Sequence, residues 1–349
     1  MSITKIFFIA LFCITSSLAA QNSIQILTEQ KGVSIRSLAL PSDQVIWASG
    51  SKGMIARSTN EGQSFEWKQV KGYENRDFRA MHAWDEQEAI IVAIAAPSVI
   101  LKTKDGGQSW YKVYENSDTA MFLDAIRFSD SYNGVVIGDP INDTLFMLTT
   151  KDKGEHWTRM PSSYFKTPLY KGEAFFASSN SNLTFVQKEI IFVTGGLSSR
   201  IWYHGKATPL PLIQGTNSTG ANSIAVSPNQ QKIMIVGGDF SNHKNATNNI
   251  AGYRLLLEAK SDQKHLATKK IIFQPLQLGA PNGYKSAIEY ISNKTIIVCG
   301  TSGVDITKNG GKSWEAISNA SFHIVKKQPQ KNGAFLAGSG GRIGYVNFQ

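Results

Sequence analysis

Seven β-type segments of the chain carry a polar residue at the same position, the second. The segments are IRSLAL, FRAMHA, LDAIRF, GEAFFA, ANSIAV, YKSAIE and FHIVKK. Their second residues are Arg36, Arg79, Asp124, Glu173, Asn222, Lys285 and His323. If the segments are equivalent strands around one axis, these side chains form a polar ring. A ring with so many charged members predicts a ligand site.

The ring combines side chains that hold anions with side chains that transfer protons. Arg36 and Arg79 can hold a carboxylate, sulfate or phosphate through paired N–H donors. Asp124 and Glu173 lie on adjacent segments, where they can perturb each other's pKa and form the acid/base pair of a glycosidase. His323 titrates near neutrality and can assist them. The catalytic assignment of Asp124, Glu173 and His323 holds only if the protein is an enzyme.

Further polar residues fall in loops expected on the same face as the ring. With them, the predicted ligand-binding set consists of Arg36, Arg79, Asn222, Lys285, Asp139, Asp239, Arg200 and Arg342. The Asn-rich loop 239–252 is a candidate lid. The sequence has no P-loop, HExxH, GxSxG or paired-cysteine pattern, so we expect no cofactor and no metal.

Four copies of one octet reveal a repeat. They are STNEGQSF (58–65), TKDGGQSW (103–110), TKDKGEHW (150–157) and TKNGGKSW (307–314). The pattern is the Asp-box, S/T-x-D-x-G-x-S/T-W/F. Its Asp or Asn accepts backbone hydrogen bonds within a turn, its glycine permits a positive φ, and its aromatic residue can pack between neighbouring sheets. We expect these octets to stabilise hairpins and to take no part in catalysis.

Seven apolar runs that end in small residues set the number of units. Each of these runs has shorter β-type runs before and after it, so a unit contains about four strands. Seven such units predict an all-β, seven-bladed propeller. The segment SIQILTE (23–29) is expected to complete the last blade and close the ring. The predicted domain is 21–349, with blades at about 32–72, 73–117, 118–163, 170–215, 218–278, 283–319 and 320–349 plus strand 23–29.

The N-terminus and the overall charge indicate where the protein acts. Residues 1–20 read as a cleaved signal peptide, so we expect export to the periplasm or secretion. The net charge is +10, but the lysines are dispersed, which argues against nucleic acid. Contact with a membrane surface is compatible with this charge, whereas an integral membrane protein is not expected. We expect a monomer.

The octets, the glycine-ended strands and the seven units resemble the photosystem II assembly and stability factor propellers. The stretches IRSLALPSDQVIWASGSKG, FLDAIRFSDSYNGVVIGDP and GEAFFASSNSNL are especially similar to the secreted branch from non-photosynthetic bacteria. The resemblance covers residues 23–349. It implies a scaffold role for the photosynthetic members, whereas members of the bacterial branch carry labels such as glycosyl hydrolase-like.

Three functions remain open from the sequence. The first is an exported propeller that binds an anionic glycan, a peptide or a protein segment in a funnel on one face. The second is a glycosidase-like hydrolase or a lyase that uses Asp124 and Glu173 with an arginine clamp. The third is a scaffold that uses the outer faces of its blades. An oxidoreductase is not expected, because GSGGRIG (338–344) has no following helix to form a dinucleotide site.

Overall fold

Strands make up nearly all the regular structure of the residues that the structure describes. The structure, a computed structural model, describes residues 23–258 and 270–348; the predicted signal peptide lies outside them. Within these residues there are 29 β-strands and one short 3₁₀ helix, Ser162–Tyr164. None of the described helices is long and apolar enough to cross a membrane.

Strand β1 (Gln25–Thr28) is followed by three four-stranded antiparallel sheets. The first contains β2 (Ile35–Ala39), β3 (Ile46–Gly50), β4 (Met54–Ser58) and β5 (Glu66–Gln69). The second contains β6 (Phe78–Ala83), β7 (Ala89–Ala93), β8 (Ser98–Thr103) and β9 (Tyr111–Asn116). The third contains β10 (Leu123–Phe128), β11 (Gly134–Ile141), β12 (Thr144–Thr150) and β13 (Thr158–Arg159).

A nine-stranded sheet and two further sheets complete the fold. The nine strands are β14 (Glu173–Ala174), β15 (Leu183–Val186), β16 (Glu189–Gly196), β17 (Arg200–Tyr203), β18 (Lys206–Pro209), β19 (Thr219–Val226), β20 (Lys232–Asp239), β21 (Ile250–Glu258) and β22 (Lys270–Pro275). The next sheet contains β23 (Ala287–Tyr290), β24 (Ile296–Gly300), β25 (Gly303–Thr307) and β26 (Glu315–Ser318). The last contains β27 (Ile324–Lys327), β28 (Gly333–Ala337) and β29 (Ile343–Asn347), and β1 pairs antiparallel with β29.

The core lies between neighbouring sheets. Strands β3, β7, β24 and β28 are buried at every residue because their apolar runs are covered on both faces. Strands β5 and β26, at the sheet edges, are more exposed. Cys299 of β24 is buried in the core. Burial therefore marks the strands that hold the sheets together.

The first strands of the sheets meet one another around a common interior. Strand β2 contacts both β6 and β27, β6 contacts β10, and β10 contacts β15. In turn, β15 contacts β19, β19 contacts β23, and β23 contacts β27. Because each strand touches the next, side chains that are far apart in the sequence meet at this interior.

The octets form the turns between the third and fourth strands of their sheets. In TKDGGQSW, the Thr103 hydroxyl donates to Asp105 at 2.8 Å, and Asp105 accepts two backbone N–H groups of the turn. Gly107 has φ +80°, which favours glycine, and donates its N–H to Thr103. Trp110 packs edge-on against Trp47 of the preceding sheet. These contacts hold the hairpin and join two sheets.

The predicted strand GEAFFA is interrupted. Strand β14 ends at Ala174, and residues 175–182 leave the sheet before β15 begins. The side chains explain the break, because Phe175 packs against Phe192 of β16 and Phe176 packs against Phe240 in a loop. We call Ser178–Asn182 the crossing segment, since it runs across the interior between the inner strands.

Candidate functional site

One end of the interior opens into a pocket of about 420 Å³, which we call the arginine pocket. Four predicted ligand-binding residues line it together with the predicted catalytic residue His323: Arg36, Arg79, Asp139 and Asn222. Its apolar walls come from Phe122, Phe175, Phe176, Phe240 and Tyr284. The structure thus brings together four of the seven residues that the sequence aligned, with Asp139 from the predicted loop set, and it adds an aromatic wall.

β-Bulges occur at four of the seven ring residues, three of which line this pocket. The pairing register shifts between the residues that flank Arg36, Arg79, Asp124 and Asn222. A bulge inserts one unpaired residue and turns its side chain away from the regular alternation of the strand. The second residue of these segments is therefore the bulged residue, which gives the sequence alignment its structural basis.

Two arginines supply the positive charges of the pocket, and Asp139 supplies one carboxylate. Arg79 Nε lies 2.8 Å from Asp77 Oδ2, so one cation is partly neutralised. The Arg36 guanidinium makes no hydrogen bond or ion pair with any residue in 23–258 or 270–348. Burial, and next the nearby charge of Arg79, lowers the pKa of Arg36. Arg36 is thus a partly desolvated cation with free donors facing the pocket.

His323 and Asn222 fix the polar geometry of the pocket walls. His323 Nδ1 donates to the Ile35 carbonyl at 3.0 Å. Burial, and next the charge of Arg36, lowers the pKa of His323 to about 4, so the imidazole is neutral at pH 7. Asn222 Oδ1 accepts hydrogen bonds from Tyr284 at 2.8 Å and from Ser178 at 3.0 Å. Both residues are held in place by neighbours.

The crossing segment closes the pocket at its inner end. Asn180 donates from Nδ2 to the Met81 carbonyl at 2.9 Å and to Ser37 Oγ at 3.0 Å. Its Oδ1 accepts the Ile126 N–H at 2.8 Å. The backbone of Asn180 lies in the left-handed region, with φ +53°. Its buried side chain therefore joins strands β2, β6 and β10. Sequence reasoning missed this residue, although SSNSN, directly after the predicted strand GEAFFA, is a signal of a turn.

Asp124 lies beside the arginine pocket but is fully buried and does not line it. Neither carboxylate oxygen has a hydrogen-bond partner in the described part of the chain. Burial raises its pKa well above the ordinary value, with a further contribution from Asp139, and Arg79 only partly offsets this. The carboxyl of Asp124 therefore favours its neutral form.

Glu173 belongs to a separate buried cluster. Its carboxylate forms an ion pair with Arg200 and accepts the Trp202 Nε1–H at 3.0 Å. The Tyr170 N–H also donates to it, at 3.1 Å. The side chains of Glu173 and Arg200 are almost completely buried, so each neutralises the other. The structure does not place Glu173 or Arg200 in the arginine pocket.

The remaining predicted residues are also held by local partners. Lys285 forms a buried ion pair with Asp305 of β25 and donates to the Gly303 carbonyl. Arg342 pairs with Glu29 at 3.1 Å on the surface. Asp239 accepts the hydroxyl and N–H of Ser241 within its own loop. None of these three residues lines the arginine pocket. Each is instead paired with a cross-strand or loop partner, and an alignment of segments does not show such partners.

Replacing Asp124 by asparagine is expected to change how stability depends on pH. Because the pKa is raised in the folded state, that state holds its proton more tightly than the unfolded chain. Wild-type stability therefore falls by up to about 1.4 kcal/mol per pH unit as the pH rises from about 4 to the folded-state pKa. Urea unfolding of Asp124→Asn between pH 4 and 8 should lack this decline. The control is Asp143→Asn at an exposed site; an equal effect in both variants contradicts the assignment.

Comparisons with solved structures identify the fold. The chain matches "YCF48 bound to D1 peptide" with TM-score 0.61 and 15% identity, over 94% of this chain and 98% of that one. It matches the Niastella koreensis GH74 enzyme with TM-score 0.59 and 12% identity, over 92% of this chain and 53% of that one.

A third solved structure names the architecture directly. The WD40 β-propeller domain of Doa1 matches with TM-score 0.56 and 12% identity, over 94% of this chain and 98% of that one. No protein-family model and no curated protein sequence matches. The predicted likeness in fold to photosystem II assembly factors is confirmed, since YCF48 is one of them. At these identities the likeness shows the fold alone: the chain is an all-β protein with a propeller fold.

Proposed function

We propose that the chain is an exported propeller of seven blades, with the boundaries predicted above. The nine-stranded sheet then counts as two blades, because its halves β14–β18 and β19–β22 are joined through one residue pair, Gly195 and Gly220. The pairing of β1 with β29 supports ring closure by the N-terminal strand. The signal-like segment 1–20 supports export.

We propose that the arginine pocket binds a carboxylate-bearing segment of a peptide or protein partner. The observation that supports this most is the Arg36 guanidinium, which faces the pocket with no partner among the described residues. A planar guanidinium binds a carboxylate through two parallel N–H donors, and partial burial strengthens the interaction. Arg79 adds a second cation beside it.

The shape and lining of the pocket favour the end of a chain or a side chain. The crossing segment closes the inner end, so a polypeptide cannot thread through the interior. Aromatic walls beside polar groups suit a peptide that has an apolar side chain next to its carboxylate. The neighbour titled "YCF48 bound to D1 peptide" supports the choice of peptide over glycan.

The enzymatic alternative receives less support. A glycosidase needs two carboxyl groups about 5–10 Å apart across one substrate site. Glu173 is engaged by Arg200 outside the arginine pocket, and Asp124 is sealed behind its wall. The likeness to a GH74 enzyme concerns the fold. We therefore propose that the protein is a monomeric binding protein. Its biological role would be to act as an assembly factor or scaffold.

Binding of short peptides tests this proposal. A library of peptides with free C-terminal carboxylates should contain binders, and amidation of the C-terminus should weaken them at least tenfold, because the charged hydrogen bonds are lost. Arg36→Gln should weaken binding by a similar factor in calorimetry, and the matched surface variant Arg159→Gln should not. Affinity should also fall as salt rises. Equal affinity of Arg36→Gln and wild type for every binder contradicts the proposal.

A further inference from the structure

A second cavity, of about 400 Å³, lies beyond the crossing segment from the arginine pocket. Ser178 lines the arginine pocket, whereas Ser181 lines this cavity. Between them, Ser179 and Asn180 are buried and hydrogen-bonded to the inner strands. The crossing segment therefore separates the two cavities, and the volume of the second is within the roughly 300–1,000 Å³ of small-molecule sites.

Two cations meet one carboxylate in this cavity. Arg127 and Lys326 each lie three residues after a ring residue on an inner strand, and Glu289 is 3.4 Å from Lys326 Nζ. The Nε–H of Arg127 donates to the Leu183 carbonyl at 3.4 Å. Neither Nη nitrogen of Arg127 has a hydrogen-bond partner among residues 23–258 and 270–348. The cavity thus holds an excess positive charge with free donors.

Burial makes this charge sensitive to a bound anion. Burial, and next the charge of Arg127, lowers the pKa of Lys326 to about 8. An anion between the two cations would raise the pKa of Lys326 back toward its ordinary value, so anion binding and the charged form of the lysine stabilise each other. This gives the cavity an energetic preference for an oxyanion over a neutral ligand.

The rest of the lining is suited to a polyhydroxylated ring. Ser129, Thr184 and Gln230 supply hydroxyl and amide groups, and Phe185 and Tyr290 supply aromatic surface. The Tyr290 hydroxyl is buried and has no hydrogen-bond partner in the described part of the chain. A buried hydroxyl without a partner is costly, so its presence beside the cavity points to a ligand or water that satisfies it.

We propose that this second cavity binds a monosaccharide that carries an oxyanion, with Arg127 and Lys326 holding the phosphate or carboxylate. The sugar ring lies against the aromatic residues and hydrogen-bonds to the hydroxyl and amide groups. The site is separate from the peptide pocket and does not depend on it. A propeller with both would combine a peptide site and a sugar site at opposite ends of one interior.

Calorimetry with glucose 6-phosphate, glucuronate, glucose and inorganic phosphate tests the proposal. One of the two anionic sugars should bind at least tenfold more tightly than glucose and than inorganic phosphate, and which one binds identifies the anion. Arg127→Gln and Lys326→Gln should each weaken it at least tenfold, and the exposed control Lys104→Gln should not. Arg36→Gln should leave it unchanged, which separates this test from that of the peptide pocket.

A third site variant is Tyr290→Phe, which removes one hydroxyl and should fold even if the two charge variants do not. It should weaken sugar binding about threefold to tenfold, as expected for one neutral hydrogen bond. The proposal is overturned if neither anionic sugar binds, if inorganic phosphate binds as tightly as the sugars, or if folded variants of all three residues bind like wild type.

Discussion

Replacing Glu173 by alanine is expected to lower the free energy of unfolding by about 3–5 kcal/mol, because it leaves the buried Arg200 charge without its partner. The Trp202 Nε1–H and the Tyr170 N–H also lose their acceptor. Urea unfolding monitored by tryptophan fluorescence measures the loss. This is the largest effect that we expect of any single charge.

Two variants make the interpretation specific. Glu66→Ala removes a surface carboxylate that pairs with Lys68 at 2.8 Å, and it should cost less than about 1 kcal/mol. The double variant Glu173→Met/Arg200→Met should recover much of the loss, because no buried charge is then left alone. If Glu173→Ala costs no more than Glu66→Ala, the buried pair does not contribute as described.

Replacing Asn180 by alanine is expected to cost about 3–4 kcal/mol, since it leaves the Ile126 N–H, the Met81 carbonyl and the Ser37 hydroxyl without a partner. Alanine also tolerates the left-handed backbone poorly. Asn180→Gly keeps that conformation accessible, so it should be about 1 kcal/mol less damaging than alanine. The two measurements separate the contribution of the side chain from that of the backbone.

The same variants test the role of the crossing segment in closing the interior. Asn180→Gly should weaken peptide binding to the arginine pocket, because the floor of the pocket loses three anchoring hydrogen bonds. Stability within about 0.5 kcal/mol of wild type for both variants would show that Asn180 is not the anchor.

The sequence predicted the all-β propeller fold because its signals are local. Glycines and Asp or Asn residues at fixed places in the octets specify turns, and apolar runs specify buried strands. The same alignment placed Arg36, Arg79, Asn222 and His323 at one end of the interior, where the structure has them. Equivalent positions in repeated units therefore placed four of the seven aligned side chains correctly.

The cross-strand partners of the aligned residues could not be predicted from the sequence. Lys285 and Glu173 occupy the aligned position, but Asp305 and Arg200 on neighbouring strands neutralise them. Bulges and the crossing segment are likewise properties of pairing and packing. Local propensity does not encode bulges or the crossing segment. The hydrogen bond from Asn180 to the Met81 carbonyl, for example, joins residues about a hundred positions apart.

A crystal structure of the protein with its tightest-binding carboxylate peptide tests the central claim most directly. We predict a peptide carboxylate within hydrogen-bond distance of the Arg36 guanidinium, with the crossing segment intact beneath it. A peptide bound on an outer sheet edge, with the arginine pocket filled only by water, would contradict the account.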